Sequence, residues 1–105
     1  MKSIENKTEF DQLMNQSKPI LLDFYADWCG PCQTLLPTVD KLSQEFEGSV
    51  EVRKINVDQN KELAREFRVR SIPALFFIKD DVIVDKINGL TQEGILRTKL
   101  NALLN

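Results

Sequence analysis

The sequence predicts an α/β fold in which a central mixed β-sheet carries helices on both faces. Ile20-Leu21-Leu22-Asp23-Phe24-Tyr25-Ala26 is apolar at odd and even positions alike, as in a parallel-sheet strand covered on both sides. Leu35, Val39, Leu42 and Phe46 then recur at four, three and four residues, which is one apolar face of a helix. Further on, Ala74 to Ile78 and Val82-Ile83-Val84 flank Asp80-Asp81, the pattern of an antiparallel hairpin.

The elements follow in order. A first helix fits Thr8 to Gln16, with Thr8 as N-cap, Phe10, Leu13 and Met14 on one face, and Pro19 just beyond its end. After the strand at Ile20 and the helix at Leu35, a second strand fits Val50 to Val57. A helix carrying Leu63, Ala64 and Phe67 precedes the hairpin. Leu96, Leu100, Leu103 and Leu104 place an apolar stripe on a last helix. Right-handed crossovers put helices on both faces and functional groups at the carboxyl ends of the parallel strands. Trp28 to Cys32 falls at such an end.

Composition narrows the function. At 105 residues and 42% hydrophobic, the chain can bury one continuous core, so one domain over residues 1–105 is expected. The 14 basic and 16 acidic residues are interspersed, giving a net charge of -2 and no footprint for nucleic acid or anionic lipid. No apolar run approaches a signal-peptide core or a membrane span, so a cytoplasmic protein is expected. Histidine is absent, which excludes Cys-His and Ser-His nucleophile pairs and imidazole zinc sites, and two cysteines alone cannot close a tetrahedral zinc site.

The chemistry rests on Cys29 and Cys32, three apart at a helix start. Unpaired backbone N–H groups and the positive end of the helix dipole stabilise a thiolate there, which makes Cys29 the expected nucleophile. A thiol with a pKa of about 8.5 is only ~3% ionised at pH 7, and lowering it to about 7 makes roughly half of it thiolate. Cys32, one turn further in, is placed to attack the mixed disulfide formed by Cys29 and release the reduced substrate. Pro31 fits the first helical turn, and Gly30 lets a partner chain approach closely. A plain disulfide staple is the bland alternative, although so short a loop is worth only ~2 kcal/mol. Half of a zinc site shared with a second chain is another, but the flanking strand and long helix do not suit it.

Trp28-Cys29-Gly30-Pro31-Cys32, with Asp23 upstream, Lys54-Ile55-Asn56-Val57-Asp58, Ile72-Pro73 before a strand, and Gly89, closely resembles the thioredoxin family over essentially the whole chain. The resemblance implies a thioredoxin fold and a protein-disulfide reductase that is re-reduced by a thioredoxin reductase. It implies disulfide-containing proteins as substrates, no cofactor beyond the dithiol, and a monomer.

Burial should raise the Asp23 pKa so that it can exchange a proton with Cys32, a role the resemblance also implies. Lys54 shares strand parity with Val50 and Val52, so it should face their buried side, with Asp23 as its natural partner. An X-Pro bond is cis in only about 5 to 6% of folded cases. The resemblance reverses that expectation at Pro73, and leaves the backbone of Ile72 free to pair with an extended substrate. Trp28, Pro31, Ile72 and Gly89 then form an apolar rim around Cys29. Asp27 and Asp58 read as solvated surface residues, and Pro37 as a kink in the helix after the cysteines.

Three positions depart from the family pattern. Tyr25 stands where a second tryptophan is common, Gln33 where a basic residue is frequent, and Asn88 at an often apolar rim position. The Asp80-Asp81 turn also lacks the usual glycine. Rival functions are a disulfide oxidase or isomerase, disfavoured by Gly30-Pro31 and the absence of histidine, and a binding subunit whose Trp28 and Pro73 surface docks one partner.

Overall fold

The computed structural model describes residues 1–105. In chain order the elements are β1 (Lys2–Ser3), α1 (Lys7–Met14), β2 (Ile20–Tyr25), α2 (Gly30–Glu45), β3 (Glu51–Asn56), α3 (Lys61–Glu66), β4 (Ala74–Lys79), β5 (Val82–Asn88) and α4 (Glu93–Leu103). They build one five-stranded sheet of order β1-β3-β2-β4-β5. β1, β3 and β2 run parallel, while β4 is antiparallel to both β2 and β5. No helix is long and apolar enough to cross a membrane.

β2 lies at the centre with all six residues buried, as its two-sided apolar pattern requires. Its odd and even residues feed two cores. Leu21 joins Leu35, Val39 and Leu42 of α2 and Leu96, Leu100 and Leu103 of α4 on one face. Leu22 and Phe24 join Phe10 and Leu13 of α1 and Leu63 of α3 on the other. There Phe67 stands edge-on against Phe10 and Phe76, with ring centroids 5.7 and 5.1 Å away, the geometry favoured by the aromatic quadrupole.

One short strand and several element ends differ from what the sequence pattern predicts. β1 was not expected: it has two residues and a polar sequence, and backbone pairing places Lys2 beside Arg53 and Ser3 beside Lys54. α1 begins at Lys7, ahead of the expected cap at Thr8, because Asn6 is the N-cap and its side chain accepts the Glu9 amide at 2.9 Å. It also stops at Met14 rather than Gln16. α3 is shorter than its apolar spacing suggests, with Phe67 as its C-cap. The hairpin closes through Asp80 and Asp81 alone, both in the left-handed region at φ 52° and 64°. That is the twist a two-residue hairpin turn demands, and aspartate tolerates it without glycine. Pro37 lies inside α2, where it has no amide to donate.

Candidate active site

The strand-to-helix junction after β2 fixes the two cysteines. Cys29 is the N-cap of α2 with an extended backbone (φ −88°, ψ 108°), and its Sγ accepts the Cys32 amide at 3.2 Å. Its own carbonyl accepts the Gln33 amide at 3.1 Å, which starts the helix, and Pro31 occupies the first turn where no amide is needed. The Cys29 sulfur therefore sits among the free N–H groups at the positive end of a sixteen-residue helix. Cys29 and Cys32 are joined as a disulfide with Cα atoms 5.2 Å apart, a normal spacing for such a bond. Cys29 is 5% exposed and Cys32 1%, so the first sulfur is the more accessible.

A second segment meets this junction from the sheet. The Ile72–Pro73 bond is cis, and the Ile72 carbonyl lies 3.9 Å from the Cys29 sulfur. The Pro73 carbonyl accepts the Gly89 amide at 2.8 Å, with Gly89 at φ 84°, a conformation that suits glycine. Ile72 takes part in no backbone–backbone hydrogen bond, so its amide and carbonyl are free to pair with an extended chain. Beside it, the Asn88 amide side chain donates to Ser71 Oγ at 3.3 Å.

Trp28 is 72% exposed, so it is not part of the core. Its Nε1 donates to Asp58 Oδ2 at 2.8 Å, and the Asp58 amide in turn donates to Asn56 Oδ1 at 2.9 Å. Asp58 thus orients the indole, a role that residue type alone did not reveal. Only its place in the Lys54 to Asp58 segment hinted at one. Asp27 is exposed, as expected.

Asp23 is 1% exposed and neither carboxylate oxygen has a hydrogen-bond partner. Burial pushes its pKa from 3.8 up to about 7, against the opposing pull of the Lys54 charge. Lys54 is the register partner of Asp23 across β2 and β3, on the face covered by α2 and α4. Side by side, the two form no hydrogen bond. The Lys54 ammonium stands instead over the Tyr25 ring, 5.5 Å from its centroid. No cluster of three or more His, Cys, Asp or Glu residues is arranged to hold a metal ion.

Comparison with known proteins gives this geometry a lineage. The thioredoxin family model matches residues 2–102. The chain belongs to the thioredoxin family. It is similar to a thioredoxin of Haemophilus influenzae, 43% identical over 102 residues that span 95% of this chain and 91% of that protein. A Mycoplasmoides gallisepticum thioredoxin is 40% identical over 100 residues, or 95% of this chain and 99% of the relative. Among solved structures, a mutant thioredoxin from Halobacterium salinarum superposes with a TM-score of 0.90 at 36% identity, covering 99% of this chain and 90% of that one. With its cysteines paired at a helix start, the chain is a thiol-disulfide oxidoreductase that works by dithiol-disulfide exchange. Thioredoxins as a family act on disulfide-containing proteins and are partnered by a thioredoxin reductase.

Proposed function

We propose that this chain reduces protein disulfides, with Cys29 as the attacking thiolate and Cys32 as the resolving thiol. The observation that carries the assignment is the Cys29 sulfur at the α2 N-cap, accepting an amide hydrogen beside the unpaired backbone of Ile72. The Cys29 thiolate attacks one sulfur of the substrate disulfide, so that a Cys29–substrate bond forms and the other substrate sulfur leaves as a thiolate. Cys32 then gives its proton to the Asp23 carboxylate and attacks the Cys29 sulfur, and the second substrate sulfur leaves. Two electrons pass from the dithiol to the substrate. The departing thiolates take up protons, one of them returned through Asp23.

Asp23 suits this step because a base with a pKa near the working pH both accepts and releases a proton readily. Lys54 sets how strongly Asp23 holds that proton. Trp28, Gly30, Pro31, Ile72, Pro73 and Gly89 form the substrate rim, with Ile72 pairing to the target as an added strand. The chain works as a single domain over residues 1–105, as a monomer in the cytoplasm. A thioredoxin reductase resupplies the electrons there and holds the pair in its dithiol form, with no cofactor on this chain beyond the dithiol.

Equilibration against glutathione and dithiothreitol buffers tests the direction of the chemistry. In a glutathione buffer poised at about −240 mV a reductase stays largely oxidised, and dithiothreitol reduces it. Full reduction by glutathione would instead assign the chain to disulfide formation or reshuffling.

A further inference from the structure

Asp23 and Lys54 face one another in the parallel register of β2 and β3, and neighbouring strands lie about 4.8 Å apart. The two side chains share a face, and a lysine stem easily closes that gap. Buried carboxylates are ordinarily paired with such a neighbour. Here both Asp23 oxygens are without a partner. What occupies Lys54 instead is Tyr25, an 8% exposed ring two residues along the same strand and therefore on the same face as Asp23. Ring and carboxyl compete for one cation, and a ring face removed from water attracts an ammonium strongly.

We infer that the Tyr25 ring is a positioning group for Lys54, holding its ammonium off the Asp23 carboxyl and so leaving that carboxyl free to take the Cys32 proton. The inference rests on the role proposed above for Asp23 and identifies what keeps Asp23 available for it. The other charged group facing Lys54 is Asp40 of α2, which feels the Lys54 charge and holds the Met1 ammonium at 2.8 Å. Tyr25 itself carries a phenol, and Cys32, buried on α2, becomes titratable once reduced. The buried residues of β4 and α4 on this side of β2 are apolar: Leu75, Phe77, Leu96, Leu100 and Leu103.

The test is a carbon-13 NMR titration of the Asp23 carboxyl in the oxidised protein, with Tyr25→Phe, Tyr25→Leu and Asp40→Asn. Tyr25→Phe keeps the ring and leaves the midpoint unchanged. Tyr25→Leu lets Lys54 fall back on Asp23, and the midpoint drops by about 1 to 3 pH units, as for a carboxyl with a cation within about 4 to 6 Å. The pH midpoint of substrate release from a preformed Cys29 mixed disulfide should move acidward in parallel. An unchanged Asp23 midpoint in Tyr25→Leu overturns the inference, as does the same drop in Asp40→Asn, which would make Asp40 the holder of Lys54. If the carboxyl midpoint moves and the release midpoint does not, Tyr25 positions Lys54 but Asp23 does not serve Cys32. Ring-current shifts of the Lys54 side-chain protons in the unaltered protein give a reading that needs no variant to fold, and their absence also overturns the inference.

Discussion

Replacing Asp23 with asparagine removes a carboxyl that folding buries to 1% exposure without a hydrogen-bond partner. Its pKa rises from 3.8 to about 7 on folding, chiefly through burial, so the folded state holds a proton that the unfolded state has released. Below the lower value both states are protonated and the group contributes nothing to the pH dependence. Between the two values the unfolded state binds fewer protons than the native state, so stability falls as pH rises. Above the upper value the full penalty is present, about 4 kcal/mol for a rise of roughly three units at 1.36 kcal/mol each. The asparagine amide is also left without partners, at a cost of about 1 to 3 kcal/mol that does not vary with pH. The diagnostic is therefore how the difference between Asp23→Asn and the parent changes with pH. Urea unfolding of both oxidised proteins, at about pH 4, 6 and 8, should show the variant gaining about 4 kcal/mol relative to the parent across that range. Surface carboxylates such as Asp40 and Glu93 are common to both proteins and cancel in the comparison. A difference that stays constant with pH would refute the claim that Asp23 is buried and protonated near neutrality.

Three other expectations follow from particular residues. Lys54→Met removes the charge that opposes burial at Asp23, so the carboxyl midpoint should move above its present value of about 7, read by the same NMR titration; a fall would reverse the assigned sign. Arg68 holds φ 54° just after α3, so Arg68→Gly should raise stability by about 1 kcal/mol in urea unfolding, and a loss would mean that the arginine side chain contributes more than its backbone costs. Trp28 is the one tryptophan in the chain, so its fluorescence anisotropy reports the rim directly: Asp58→Ala should lower that anisotropy and cut turnover of a peptide disulfide by a few fold, while an unaltered anisotropy would deny Asp58 its orienting role.

How far the sequence speaks depends on the range of the interaction. β2, α2 and α4 were legible because their apolar residues repeat with the period of the element and are buried as that period requires. The Asn6-x-x-Glu9 spacing that caps α1 was also present in the sequence, but Thr8 is a cap residue too, if a weaker one, and lies closer to the apolar stripe. β1 carries no pattern of its own: Lys2 and Ser3 are held by pairing to β3, and Ile4 beyond them is buried. At the site, the cysteine spacing and an aspartate inside an apolar run announce themselves locally. The cis bond before Pro73 came from family resemblance, since the residues themselves favour trans. The Trp28–Asp58 hydrogen bond and the Lys54–Tyr25 contact join residues about thirty positions apart, and only the register of β2 and β3 brings them together.

The central claim is that Cys29 attacks and Cys32 resolves, and trapping tests it most directly. Reduced Cys32→Ser and Cys29→Ser proteins are each mixed with a peptide disulfide, and the products are mapped by mass spectrometry after blocking free thiols. Cys32→Ser should accumulate a mixed disulfide through Cys29, because the helix-end thiolate can attack but nothing can resolve the adduct, and Cys29→Ser should accumulate none. An adduct through Cys32 in the Cys29→Ser protein, forming as fast as that through Cys29 in its counterpart, would contradict the assignment.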